Sequence, residues 1–195
     1  EPFKSLFCQG MVCHKTYQDS ENNWLYPEDV VKEESKLYHK RTRKPVKELR
    51  SEKMSKSKKN IVDPVNIIKT YGADTARLFM LSDSPPERKL EWTSSGIQGS
   101  NKYLLKIWNY FNALTLNNIK YQENYIYTKE QNIYLVEKTH YYIDKITKSL
   151  DSFQYNVSIA LIRELSNNFL SFKIQDHPES LIALKFVLSN WVIMI

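Results

Sequence analysis

From residue 96 to the end of the chain, apolar residues return every three to four positions. No other feature constrains the fold as strongly. Ile97, Leu104, Trp108, Phe111 and Leu114 fall on one stripe, and Leu135, Thr139, Ile143, Ile146 and Leu150 on a second. Val157, Leu161, Leu165 and Phe169 make a third; Asp176, Pro178 and Glu179 open a fourth that carries Leu181, Leu184 and Phe186. A half-buried strand needs alternation, whereas this period is that of an amphipathic helix. Four such helices bury their stripes against one another, which predicts a helical bundle over residues 96–195.

The first 95 residues follow different rules, so the expected class is α/β plus all-α. Residues 1–13, "EPFKSLFCQGMVC", read as a short buried strand. Residues 14–51 turn polar and charged, with "DSENN" as a turn and "YPED" as a turn or helix start. Pro27 suits a first helical position, with Glu28 and Asp29 in the first turn. This zone reads as a small insertion of a few short strands and one helical turn. Residues 52–95 form a third zone. There Asp63 is an N-cap, Pro64 the first helical residue and Gly72 the stop, with Val65, Ile68 and Tyr71 on one face. A second helix is expected from Ala73 to about Leu81, with Asp74 and Arg77 paired three residues apart.

Charge is concentrated, not spread. The chain carries a net +6, yet residues 31–59 alone hold twelve Lys and Arg against four Glu. Its densest part is "EKMSKSKKN", residues 52–60, with four lysines and two serines. Lysines packed this closely repel unless an anion joins them, and a triphosphate is such an anion; the alternative is a solvated charge run. Cys8 and Cys13 lack a second pair to complete a zinc site and suggest a reduced, intracellular setting. His14, His39, His140 and His177 form no cluster, and no residue is assigned to a metal. No apolar run approaches a membrane span. The chain opens on Glu1 and stops within the apolar "NWVIMI", so an internal piece of a longer protein is expected.

"KMSKS" at residues 53–57 matches the signature loop of class I aminoacyl-tRNA synthetases. Its flanks, "EPFKSLFCQGMV", "NIVDPVNIIKTYGADTARLFMLSDSPP" and "LEWTSSGIQGSNKYLLKIW", resemble leucyl-tRNA synthetases of the bacterial type. "NNWLYPEDV" resembles the core of the small leucine-specific insertion, and "FQYNVSIALIRELSN" a helix of the anticodon-binding bundle. The resemblance implies that residues 1–13 end a Rossmann-like catalytic domain and that residues 96–195 are part of that bundle.

It also implies roles. Lys56 and then Lys53 are the expected catalytic residues, stabilising charge on the departing pyrophosphate. Lys53, Met54, Ser55, Lys56 and Ser57 are the expected ATP-binding set. Met54 packs the loop against the adenosine side or serves as a plain anchor, and the serines shape the loop or donate to phosphate. Lys58 and Lys59 read as a solvated extension, with contact to tRNA or ATP as the alternative, Asn60 as the loop's end, and Gln9 and Gly10 as a strand end, either buried or with Gly10 approaching the nucleotide. Trp92, Trp108 and Phe111 read as core, and Asn101, Lys102 and Lys106 as the opposite face, open to tRNA phosphates. ATP, Mg2+, leucine and tRNA(Leu) are the implied partners, in a cytoplasmic, monomeric enzyme with no membrane contact. The "HIGH" signature of the class is absent, so the chain alone is expected to be inactive, and a non-catalytic tRNA-binding module derived from a synthetase is the alternative reading, against which the intact lysine signature speaks.

Overall fold

The computed structural model describes residues 2–3, 6–114, 125–174 and 178–194. They fall into two units, Glu1–Asn101 and Lys102–Ile195.

The first unit is organised around β1 (Val12–Gln18). β5 (Lys47–Lys53) runs antiparallel along one side of it, from Cys13 opposite Lys53 to Gln18 opposite Lys47. The other side is shared by β2 (Trp24–Leu25), antiparallel, and β6 (Leu90–Glu91), parallel. Lys15 pairs with Ser51 but Thr16 pairs with Leu49, so Arg50 is the extra residue of a bulge. Thr16 Oγ1 donates to the Arg50 carbonyl at 3.0 Å and satisfies it there. Between β2 and β5, β3 (Val30–Glu33) and β4 (Lys36–His39) form a separate hairpin.

Local chemistry explains the boundaries. Asp19 accepts the amides of Glu21 and Asn23 at 2.8 and 2.9 Å, closing the "DSENN" turn. Pro27 opens a 3-10 turn, Pro27–Asp29, with Glu28 and Asp29 in it as expected. Asp63 Oδ1 accepts the Val65 N–H at 2.9 Å and Pro64 begins α1 (Pro64–Tyr71). Gly72, at φ 84°, ends that helix and precedes α2 (Ala73–Ser82). Arg77 meets Asp74 at 2.8 Å, but both side chains lie in solvent, so the pair holds nothing beneath it. The unit's core is Phe79, Leu90 and Ile97, with Ile67, Tyr71 and Trp92 packed against it. The expected apolar face of α1 is displaced: Val65 and Ile68 are exposed, and Ile67 faces the core instead.

The strand expected within residues 1–13 begins only at Val12. A strand exists where a neighbour supplies its ladder, and both β5 and β6 meet the chain from Val12 onward. Upstream, Leu6, Phe7 and Met11 are exposed. Gly10 is not a strand end. Its N–H donates to the Pro86 carbonyl at 2.7 Å, and a Cβ would stand 1.9 Å from the Arg88 carbonyl oxygen. The close approach that requires glycine is therefore to the chain's own backbone.

All four apolar stripes become helices: α3 (Ser94–Ala113), α4 (Glu130–Asp151), α5 (Tyr155–Ser171) and α6 (Pro178–Met194). Asp176 and His177 lie outside the described residues. In the second unit Leu135, Ile146, Leu165, Phe169, Leu184 and Trp191 form the centre of the core. Most of the stripes are buried as expected, with Ile97, Leu135, Ile146, Leu165 and Leu184 inside, but the seams shift by one position at three places. Trp108 is 66% exposed, and Leu150 and Val157 are also outside, while Ile107, Ser149 and Ser158 are buried. Small residues let helices approach. The Ser149 and Ser158 hydroxyls meet at 2.7 Å and bond back to the carbonyls of Ile146 and Gln154, so neither is left unpaired. Ser166 Oγ is a third such node, 2.9 Å from both Tyr103 Oη and Trp191 Nε1.

Glu179 is buried and caps α4 from another helix. Its Oε1 accepts the Thr128 and Lys129 amides at 2.7 and 2.8 Å, and its Oε2 the Thr128 hydroxyl at 2.8 Å. The Lys129 amide, aided by Thr128, holds the carboxyl at about 2, below the ordinary 4.5. A depressed folded pKa stabilises above the unfolded pKa and is lost as pH falls through the folded value. Melting temperature should therefore fall between about pH 4.5 and pH 2. Glu179→Gln should lower the neutral-pH melting temperature and flatten that acid limb, read by helical circular dichroism.

Candidate functional site

β5 delivers the chain into the lysine-rich turn, and Met54 extends the ladder by donating its N–H to the Val12 carbonyl at 3.1 Å. The turn then closes on itself. Ser55 Oγ accepts the Lys58 N–H at 3.2 Å and lies 2.9 Å from Ser57 Oγ. Lys59 N–H donates to the Lys56 carbonyl at 3.3 Å, and Lys59 takes a left-handed φ of 52°. The Ser55 hydroxyl is thus spent on shaping the turn.

Asn60 is the residue that holds this shape. Its side chain is fully buried. Its Oδ1 accepts the Ser55 N–H at 2.8 Å, and its Nδ2 donates toward the carbonyls of His14, Glu52 and Lys53 at 3.2, 3.1 and 3.3 Å. One amide thereby ties both ends of the turn to β1 and β5. Reading Asn60 as merely the loop's end missed this. A lone Asn after a lysine run looks like any other polar loop residue, and only the strand pairing places the carbonyls around it. Burial holds the His14 imidazole below its usual pKa.

The lysines separate into two pairs. Lys58 is ion-paired with Glu52, which also accepts Arg50 Nε at 2.7 Å. Lys58 Nζ stands 5.7 Å from the Trp24 ring, and Lys59 Nζ 5.4 Å from the Tyr26 ring. The expectation that these two are simply solvated is therefore corrected. Nearby carboxylates are also engaged: Glu33 with Arg43, and Glu48 with Lys15. Lys53 and Lys56 are exposed, and among the described residues neither has an ion pair or a ring contact. Met54 is half-buried and Ser57 exposed. Of the other expected contacts, Lys102 and Lys106 are exposed, while Asn101 Oδ1 lies 3.4 Å from Thr75 Oγ1 and is not on an open face. Trp92 packs edge-on against Phe79 at 5.1 Å. Among the described residues, no three His, Cys, Asp or Glu side chains stand together to hold a metal. No described helix is long and apolar enough to cross a membrane.

The family model for tRNA synthetases class I (I, L, M and V) matches residues 44–93, the span that contains this turn. Leucine–tRNA ligases of Rickettsia felis and Rickettsia massiliae are 46% and 47% identical to the chain, each over 86% of it. The chain belongs to the class I tRNA synthetases, with the leucine–tRNA ligases. It spans 19% of the length of those two relatives. Its fold is that of two kinds of synthetase. One is the LeuRS–tRNA–LeuAMS complex of Agrobacterium radiobacter K84, with TM-score 0.67 and 21% identity over 97% of this chain and 20% of that one. The other is methionyl-tRNA synthetase of Mycobacterium tuberculosis with methionyl-adenylate, with TM-score 0.54 and 15% identity over 72% of this chain and 31% of that one. For this synthetase segment, the geometry predicts that Asn60→Ala costs about 1–3 kcal/mol, the usual cost of orphaned buried polar groups. Asn60→Asp should cost more, because an oxygen would then face three carbonyls. Thermal melting of the two variants checks the order.

Proposed function

We propose that this chain supplies the phosphate-facing loop of a leucine–tRNA ligase. In the reaction, a leucine carboxylate oxygen attacks the α-phosphorus of ATP. The bond from that phosphorus to the bridging oxygen breaks, pyrophosphate leaves, and leucyl-adenylate remains. The leucyl group then passes to the terminal ribose of tRNA(Leu). Negative charge grows on the leaving pyrophosphate, and it is this charge that a cationic loop stabilises. One observation carries the reading: on a turn locked by Asn60, Lys53 and Lys56 are the lysines left exposed without a carboxylate partner among the described residues.

Lys56 is the principal charge and Lys53 the second. An ammonium on a flexible stem can follow phosphate oxygens as they move apart. In this reading Ser57, exposed beside Ser55, donates to phosphate, while Ser55 serves the turn and Met54 anchors it. Mg2+ enters as the companion of the ATP phosphates, and no residue of this chain is assigned to it. The exposed Lys102 and Lys106 on α3 suit sequence-blind contact with tRNA phosphates. The reading carries with it a monomeric enzyme in the cytoplasm.

The test is leucine-dependent ATP–pyrophosphate exchange. The chain is assayed alone, with an upstream half bearing the "HIGH" signature, and grafted into the Rickettsia felis ligase in place of the matching segment. Activity on mixing or grafting, with silence alone, supports the reading. Lys56→Ala in the active form should lower exchange by about 100- to 1,000-fold, the usual loss for one transition-state contact. Undiminished exchange in that variant would remove Lys56 from the chemistry.

A further inference from the structure

Asn60 joins the two ends of the turn, but none of its bonds holds residues 56–59 sideways. That restraint comes from outside the loop. Lys58 lies over Trp24 and the next residue, Lys59, over Tyr26. Both rings stand on fixed backbone. Trp24 pairs with Gln18 of β1, and the Tyr26 carbonyl accepts the Asp29 N–H at 3.0 Å as the 3-10 turn begins. Each ammonium is within about 6 Å of its ring centroid, the range in which the ring's negative face attracts a cation. A single anchor would leave the turn free to roll about its own axis. Two consecutive lysines held on two separate rings, one on β2 and one at the entry to the 3-10 turn, do not. Glu52 adds to the first anchor by pairing with Lys58.

We infer that Trp24 and Tyr26 are positioning residues for Lys53 and Lys56. They touch no substrate. They hold the rear half of the turn through Lys58 and Lys59, and so limit where the two free ammonium groups can stand. The inference rests on the proposed role of Lys53 and Lys56 in pyrophosphate stabilisation. Removing a ring lets the turn sample more orientations. The fraction of time Lys56 is correctly placed falls, which lowers the chemical rate. Leucine binding does not use this turn, so the KM for leucine is unaffected.

The experiment uses the active ligase carrying this segment and measures leucine-dependent ATP–pyrophosphate exchange. Trp24→Leu and Tyr26→Leu keep bulk but lose the ring. Each should reduce kcat about two- to fivefold, and both together about tenfold, with the leucine KM unchanged. Tyr26→Phe keeps the ring and should restore the wild-type rate. Adding Lys59→Gln to Tyr26→Leu should cost nothing beyond either change alone. Trypsin digestion of this chain gives a readout apart from activity. Tyr26→Leu should speed cleavage after Lys56, Lys58 and Lys59 without speeding cleavage elsewhere. Unchanged kcat in Trp24→Leu and Tyr26→Leu, or losses at Tyr26 and Lys59 that simply multiply, would overturn the inference. Undiminished exchange in Lys56→Ala would instead overturn the function on which it rests. A large loss in Lys56→Ala with no effect at either ring would sink the positioning role alone.

Discussion

A single buried carboxamide sets the geometry on which the site depends. Asn60 accepts one amide and spreads its two N–H bonds over three carbonyls, one from β1 and two from the end of β5. Those carbonyls lie at the point where the ladder between the two strands ends, at Cys13 and Lys53. Without Asn60 the Ser55 N–H would lose the acceptor it has here and the three carbonyls would each lose a donor, and a lost partner costs more than an ordinary hydrogen bond contributes. With Asn60 in place, the lysine-rich turn leaves the sheet in one fixed direction. Repulsion among four close ammonium groups is opposed by the frame around them, not by the turn itself.

The same logic recurs in the helical unit. Ser149, Ser158 and Ser166 occupy buried seams because each hydroxyl finds partners on its own helix and on a neighbour. Glu179 is a buried charge made tolerable by two amides and a hydroxyl at the start of α4. Ser149 and Ser158 take positions that hydrophobic patterning assigns to Leu150 and Val157, and in all four cases hydrogen bonds compensate for the burial. The bundle is therefore fixed in register by polar nodes within an apolar core.

Charge is sorted by the same frame. The basic zone of residues 31–59 holds four Glu, and three of them are committed to Arg43, Lys15 or the Arg50–Lys58 pair. Exposed pairs of this kind contribute little stability, but they consume carboxylates that would otherwise neutralise the turn. Lys58 and Lys59 are drawn to aromatic rings, and Lys53 and Lys56 remain. Under the proposed function a cation has to be available when the polyanion arrives, and of the turn's four lysines the arrangement leaves two without an ion pair or ring contact among the described residues.

Much of this was legible in the residues. The helical period from residue 96, the Asp63–Pro64 start, the Gly72 stop and the Pro27 turn all follow from forces acting over three or four positions, such as capping, fixed φ angles and helix periodicity. The concentration of lysine at 53–59 was equally plain, as was the likeness to class I synthetases. Other features were decided by residues far apart in sequence. The seams at Ser149 and Ser158 fell one position from the apolar stripes, because close helix approach selects small side chains, and Ile107 took the place expected of the bulkier Trp108. The first strand waited until Val12, because the paired strands β5 and β6 meet the chain only from there, and the Gly10 bond to Pro86 lies outside a ladder. Which two lysines stay free, and why Asn60 matters, depended on β1 and β5 bringing residues 12–18 beside 47–53, and on β2 presenting Trp24. The sequence alone determined which elements form and where positive charge gathers, since those are local properties. Only the tertiary structure decided which charges of the basic zone are spent and which are left, since the Lys15–Glu48 pair and the ring contacts of Lys58 and Lys59 need partners far along the chain.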